Sequence, residues 1–183
     1  MNKRAIDPLR LDVAALARQA QSVTGEWTLE ALPRLAQSEA LPQGRASQPV
    51  AWSVRGEWRP VAGGPPQVWL HLTARTDIWL ACQRCLQPIR TPLMVERSIL
   101  FVGSEDKAEA LDAEIEDDVL ALPAALDLRA LVEDELILAL PLVPRHDGCP
   151  MPGGTPAAEQ GADPALPQPF AALAALKAGR PRG

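Results

Sequence analysis

Aromatic and histidine side chains are scarce in this sequence of 183 residues. It has five Trp, two Phe, no Tyr and two His. Because His71 and His146 lie far apart, the paired-histidine helix of a zinc protease is absent, and no nucleophile elbow or Gly-rich phosphate loop occurs. We therefore expect a protein that is not an enzyme and has no small-molecule substrate.

Long apolar runs are missing as well. No stretch approaches the ~18 uncharged apolar residues of a membrane-spanning helix. The N-terminus has no apolar secretory segment, since charge returns at Asp7 and Arg10. Three cysteines are an odd number, which argues against a disulfide framework. We predict a cytoplasmic protein that does not bind membranes and whose thiols stay reduced.

The net charge of −5 is unevenly distributed. Residues 105–118 hold eight acidic residues and one Lys, so removing them from the 23 acidic and 18 basic residues leaves 15 and 17. A strongly basic nucleic-acid domain is excluded, but a basic face beside an acidic segment is compatible with these numbers. The simplest interpretation of residues 105–118 is a solvated acidic loop.

Alternating apolar residues predict strands. They occupy even positions over 68–82 and odd positions over 89–101, and 52–58 and a short piece after residue 117 also favour strands. If the two long strands pair with Cys82 opposite Ile89, both apolar faces lie on one side of an antiparallel sheet. The tip of this hairpin then contains Cys82 and Cys85.

Three helices are predicted around these strands. Asp7 caps the first, Thr28 begins a second, and Asp127 caps the most regular one, which runs to Leu140. Glu135 falls in the middle of the apolar face of that last helix. Such a carboxylate needs a partner, which we expect to be Arg84 or Arg90, unless it is a functional acid.

The predicted fold class is therefore α+β. An antiparallel β meander packs with the N-terminal helices and the Asp127 helix in one domain, residues 1–143. Residues 144–169 contain seven Pro and four Gly and are predicted to be a flexible linker. Residues 170–183 favour a short amphipathic helix that docks on the body or on a partner.

The cysteines leave three interpretations open. Cys82 and Cys85 have the spacing of a metal knuckle, and His146 and Cys149 repeat it, which together gives the ligand types of a structural zinc site. The two pairs are about 60 residues apart, so the fold would have to bring them together. Alternatively, the thiols are merely packed, or Cys82 and Cys85 are a redox pair, although redox pairs usually begin a helix.

Three segments occur in an order that resembles a known family: "CQRCLQPI", "LVEDELILALPLVPRHDGC" and "PFAALAALK". The sequence is similar, from about Asp7 to Lys177, to the large ribosomal RNA subunit accumulation protein family, the bacterial YceD group. The resemblance implies a non-enzymatic cytoplasmic factor for the synthesis, processing or stability of large-subunit (23S) ribosomal RNA. It also implies a metal knuckle, in which Cys82 and Cys85 match the first cysteine pair and Cys149 a later cysteine.

The partner implied is a ribosomal RNA precursor or a ribosome-assembly protein. Arginines can bind phosphate and Trp can stack on unpaired bases, so we predict an RNA surface on the hairpin. Two alternatives are an adaptor that acts on ribosomal RNA indirectly and a processing nuclease. The alternative for the tryptophans is a second core layer under the N-terminal helices. The predicted RNA surface consists of Arg75, Arg84, Arg90 and Arg97, with Trp69 and Trp79.

Overall fold

A five-stranded sheet organises residues 6–149, the part of the chain that the computed structural model describes. The strands lie side by side in sequence order; the first four are antiparallel, and the fifth runs parallel to the fourth. The α+β fold class is confirmed. The strands are β1 (Ser22–Trp27), β2 (Val50–Arg59), β3 (Gln67–Ala81), β4 (Pro88–Val102) and β5 (Asp118–Ala121), and the α-helices are α1 (Val13–Arg18), α2 (Pro33–Ala36), α3 (Glu105–Asp112) and α4 (Leu128–Leu138).

The predicted hairpin is present, but its predicted register was wrong by two residues. Leu80 lies opposite Ile89, rather than Thr91. The reason is the turn, in which the N–H of Cys82 donates to the carbonyl of Gln87 at 3.0 Å and so pairs these two residues. Because the error is an even number, every side chain keeps its predicted face.

One face of the sheet carries the main core. Even-numbered residues of β2 and β3 and odd-numbered residues of β4 point into it, and α1, α2 and α4 cover it. Gly56 of β2 allows the closest approach, since a β-carbon there would lie 2.5 Å from the backbone nitrogen of Ala17 in α1. The fully buried side chains of this core include Leu16, Leu35, Leu70, Leu72, Ile78, Ile99, Leu128 and Leu136.

Within residues 6–149, the opposite face of the sheet, which we call the open face, is covered by a helix at one end only. Trp69, Leu100 and Val119 are buried there beneath α3, against Ala108. Residues 105–118 are thus not the solvated loop we expected, because their few apolar residues seal this second core. Trp69 does belong to a second core layer, but α3 covers it instead of the N-terminal helices.

The N-terminal segment differs most from expectation. The single helix expected after Asp7 is divided into a 3₁₀ turn, Pro8–Arg10, and α1, which Asp12 caps. Between them Leu11 forms a β-bridge with Leu126, which interrupts the helix. Strand β1 was not predicted, and the helix expected to begin at Thr28 is a 3₁₀ turn, Leu29–Ala31, followed by the single turn of α2.

Helix α4 begins as predicted and ends slightly earlier. Asp127 caps it by accepting hydrogen bonds from the N–H groups of the second and third residues that follow, each at 3.0 Å. Glu135 lies at the edge of the buried face, and its partner is Arg97 at 2.8 Å, so the expected pairing with Arg84 or Arg90 was wrong. Among residues 6–149, the buried carboxylate is that of Glu133, which is 5% exposed.

Two further expectations concern the ends of the chain and the membrane. The predicted helix over residues 170–183 and most of the predicted linker lie outside the described residues. Within residues 6–149, no helix has both the length and the apolar character needed to cross a membrane.

Candidate metal centre

The hairpin turn between β3 and β4 presents the first cysteine pair. The N–H of Leu86 donates to the carbonyl of Cys82 at 2.9 Å, which closes a tight turn around Cys85. Leu86 has φ of 60°, the left-handed conformation that such a turn requires. Both thiols therefore point to the inside of one turn at the end of the sheet.

The segment after α4 brings the second pair to the same place. The carbonyl of Pro144 accepts a hydrogen bond from the N–H of Gln83 at 2.8 Å, and Arg84 Nη1 donates to the carbonyl of Cys149 at 2.6 Å. Gly148, with φ of 68°, turns the chain so that Cys149 lies beside the residue three positions earlier, His146. Residues 144–149, where the predicted linker begins, thus lie against the hairpin.

The four donor atoms converge. Those of Cys82, Cys85, His146 and Cys149 all lie within 4.8 Å of one another. The sulfurs of Cys82 and Cys149 are 3.9 Å apart, and the sulfur of Cys85 is 3.6 Å from Nδ1 of His146. A tetrahedral zinc site with Zn–S of ~2.3 Å and Zn–N of ~2.0 Å needs separations of ~3.8 Å and ~3.5 Å. The donor set and its spacing therefore fit zinc.

The surroundings of the donors also suit a cation. Nε2 of His146 lies 3.3 Å from the carbonyl of Pro88, an outer contact that fixes the ring and leaves Nδ1 for a metal. The backbone N–H of Cys85 bonds to the sulfur of Cys82 and, with weaker contributions from other N–H groups, lowers the pKa of Cys82 to about 5. Burial, with a smaller contribution from Cys85 and Cys82, raises the pKa of Cys149 to about 11, and a bound cation would favour its thiolate.

The four arginines of the predicted RNA surface do not form one surface. Arg75 and Arg90 lie on the open face of the sheet, Arg84 lies in the turn, and Arg97 lies on the helix-covered face, where it pairs with Glu135. Arg90 is paired with an aspartate at 2.7 Å, and Arg84 is bonded to the carbonyl of Cys149. Among the described residues, Arg75 is the member of this set for which no hydrogen bond or ion pair is found.

A hydrogen-bonded row that the sequence did not suggest crosses the open face. Nε2 of His71 lies 2.7 Å from Glu57 Oε2, and its Nδ1 lies 2.9 Å from Ser98 Oγ. Hydrogen bonds from Arg59 and His71 lower the pKa of Glu57. The residue types are those of a hydrolase triad, but Ser98 lies inside β4, paired with His71 across the ladder, and not at the strand-to-helix turn of a nucleophile elbow. The sequence signal for this row was strand parity, because odd-numbered residues of β2 and β3 and even-numbered residues of β4 lie on the same face of the sheet.

Together these features define a class: an α+β domain whose sheet end is joined to its last helix by a cluster of three cysteines and one histidine. The model of a family described as "Large ribosomal RNA subunit accumulation protein YceD" matches residues 70–177. The chain belongs to this family. The matched region contains all four residues of the cluster.

A curated relative supports the same assignment. The Large ribosomal RNA subunit accumulation protein YceD of Haemophilus influenzae is 32% identical over 139 residues, which cover 76% of this chain and 75% of the relative. No solved structure matches the chain. The sequence resemblance is therefore confirmed at the level of the family.

Proposed function

We propose that this protein is a non-enzymatic cytoplasmic factor needed for the accumulation of large-subunit ribosomal RNA, through its synthesis, processing or stability. The observation that carries the proposal is the match to the Haemophilus influenzae protein along three quarters of both chains. The name of that relative states the accumulation role, and the matched family region includes the Cys/His cluster and α4.

We further propose that Cys82, Cys85, His146 and Cys149 hold a zinc ion. Zinc would supply positive charge that keeps the three thiols ionised and would require no redox chemistry. The chain's own residues provide the turn at Leu86, the turn at Gly148 and the contact of His146 with a carbonyl. The role of the site is structural, since all four positions of a tetrahedral ion are occupied by protein and none is left for a substrate.

The open face of the sheet is the proposed RNA contact. Beside Arg75 it forms a shallow trough of about 440 Å³, in which the hydroxyls of Ser53 and Thr73 are exposed and bonded to each other at 2.8 Å. Glu26 and Glu96 also line the trough and repel phosphates. The contact we propose is therefore with sugar hydroxyls and unpaired bases, with Arg75 as the phosphate anchor.

Depletion of the protein tests the function. Cells that lack it should have a lower ratio of 23S to 16S ribosomal RNA, and the wild-type gene should restore the ratio. An unchanged ratio would contradict the proposal. Purified protein incubated with precursor RNA and magnesium or manganese should leave the RNA uncut, because cleavage would identify it as a nuclease.

Crosslinking in cells tests the RNA surface. Ultraviolet light should link the wild-type protein to precursor RNA, and Arg75→Ala should reduce the linked RNA several-fold. Arg45→Ala, which changes an exposed arginine in the loop before β2, is the matched control and should have no effect. If the two variants behave alike while the 23S ratio still depends on the protein, the adaptor alternative is favoured.

A further inference from the structure

Exposed apolar side chains are concentrated at the end of the molecule that carries the Cys/His cluster. Among the described residues, four of the five most exposed large apolar side chains are Leu142 (99%), Leu86 (74%), Leu138 (73%) and Val143 (61%). We call these four residues the apolar end surface. Their exposure is unusual for a monomer, in which contiguous apolar surface commonly marks an interaction site.

Backbone contacts bring the parts of this surface to one place. Leu142 and Val143 directly precede Pro144, whose carbonyl accepts the hydrogen bond from Gln83. Leu86 follows Gln83 by three residues in the same tight turn. Leu138 is the last residue of α4, four positions before Leu142. The backbone of the hairpin tip therefore meets the segment after α4, and both carry exposed apolar side chains at this end of the sheet.

Leu86 supplies a second, independent observation. Its φ of 60° lies in the left-handed region, where glycine is favoured and a branched side chain is strained. The leucine side chain does not compensate by packing, because 74% of its surface is exposed. The turn fixes this φ whatever the residue, and an unburied leucine there adds little to the packing of the fold, so its side chain is available for contact with another molecule.

The charges around the surface indicate the chemistry of the occupant. Residues 82–90 and 138–149 contain three arginines and one aspartate, although the whole chain carries −5, and one of these arginines, Arg90, is paired with Asp77. Arg84 donates only to a carbonyl, so its positive charge is not neutralised by that contact, and Arg145 is exposed. A complementary partner is apolar in the centre and acidic at the rim.

We propose that the apolar end surface docks an amphipathic helix of another protein, with an apolar stripe bordered by Asp or Glu. Helices of this kind fill apolar surfaces through residues spaced at i, i+3, i+4 and i+7. A nucleic acid backbone would satisfy the arginines but would leave Leu142 and Val143 uncovered. The proposal rests on the proposed zinc site only in that the ion would hold the two apolar segments together.

Site-specific crosslinking in cells tests the docking. A photoreactive phenylalanine at position 142 of the full-length protein should link to one protein, and mass spectrometry should map the link to a segment with an apolar stripe and acidic flanks. The same probe at Leu120, an exposed leucine of β5, is the matched control and should not link to that segment.

The mapped segment, made as a peptide, then allows affinity to be measured. Leu142→Ser should raise its Kd roughly tenfold, as expected for a central interface leucine, while Leu120→Ser should leave Kd within about twofold. Replacement of the acidic flanks of the peptide by lysine should also raise Kd, and this effect should shrink at high salt.

Several outcomes would overturn the proposal. These are links from position 142 to RNA alone, to a second copy of the chain or to its own later residues, equal linking from position 120, or no link. Zinc content and the 23S ratio are measured on the same variants to separate the proposals. A Leu142→Ser protein that keeps zinc but loses the peptide supports docking, whereas a wild-type protein that lacks zinc yet binds the peptide contradicts only the zinc site.

Discussion

Glu133 links two helices that are distant in sequence. Its Oε1 accepts hydrogen bonds from the N–H groups of Arg34 at 2.7 Å and Leu35 at 3.2 Å, in the first turn of α2, and its Oε2 accepts one from Arg34 Nε at 3.0 Å. The first N–H groups of any helix lack partners within the helix. The buried carboxylate of Glu133 in α4 therefore caps the N-terminus of α2, a role that a residue adjacent in sequence usually fills.

The buried carboxylate should matter far more than its exposed neighbour. Glu133→Ala leaves two N–H groups without a partner and removes one of the two carboxylates that bind the Arg34 guanidinium, and we expect it to lower the free energy of unfolding by about 3 kcal/mol. Asp134→Ala removes the exposed contact to Arg34 Nη1 and should cost at most about 1 kcal/mol. Urea unfolding measures both, and similar losses would contradict the capping role.

A substitution of Leu86 should stabilise the protein rather than destabilise it. Leu86→Gly relieves the left-handed strain at φ of 60° and should raise the free energy of unfolding by about 0.5–1 kcal/mol. The same change removes an apolar side chain from the apolar end surface, so affinity for the mapped peptide should fall. Thermal unfolding and peptide binding, measured on one protein preparation, check the two effects, and a destabilised variant would show that the leucine serves the fold.

At the scale of the elements, the contact of α1 with β2 depends on Gly56. A β-carbon at this position would lie 2.5 Å from the nitrogen of Ala17 and 2.6 Å from the carbonyl carbon of Leu16, and backbone cannot yield as a side chain can. We expect Gly56→Ala to lower the free energy of unfolding by about 1–3 kcal/mol. Gly103→Ala is the control, because a β-carbon at Gly103 would meet no other part of the protein within 4 Å. If both variants have the same free energy of unfolding, α1 shifts freely to accommodate the added methyl group.

The long strands were predictable, whereas their register and the short elements were not. Two-residue alternation located β2, β3 and β4, because one of their faces is continuously buried. The register depends on the hydrogen bond between Cys82 and Gln87, a turn contact that no apolar pattern reports. Strand β1 was not predicted because Gly25 resembles the end of a secondary-structure element. In the structure Gly25 lies within the strand against the ring of Trp52, where a β-carbon would come within 2.6 Å of the ring.

The Cys/His cluster was predictable in its residues but not in its assembly. Spacing alone nominated Cys82, Cys85, His146 and Cys149, since both pairs are three positions apart. Whether the pairs meet depends on the path of the chain after α4, which the bond from Gln83 to Pro144 fixes. The RNA arginines could have been separated from the sequence, because strand parity already places Arg97 on the apolar face and Arg75 on the opposite face, and the register observed leaves both faces unchanged.

For the whole molecule, the cluster closes a long loop. Cys85 and His146 are 61 residues apart in sequence, and their donor atoms are 3.6 Å apart. A metal bound here stabilises the folded chain by an amount that grows with the ratio of free metal to Kd. Removal of the metal should therefore lower the stability of more of the structure than the turn itself. The segment that follows α4 and the tip of the hairpin should loosen together, because residues 144–149 are hydrogen-bonded to that tip.

Removal of zinc from the purified reduced protein provides the last prediction. Elemental analysis should find one zinc per chain, and a strong chelator should lower Tm by several degrees and speed amide exchange at the hairpin tip and residues 144–149. Exchange should change little at Gly56, whose N–H donates to the carbonyl of Gln21 at 3.0 Å where α1 packs on β2. Cys85→Ser should reproduce the chelated state without chelator, since it removes one of four ligands while the carbonyl contacts remain. The control variant Ser104→Ala, a substitution outside the cluster, should keep its full zinc content. A chelated protein with unchanged Tm and exchange would show that hydrogen bonds alone hold this end together and that the thiols are merely packed.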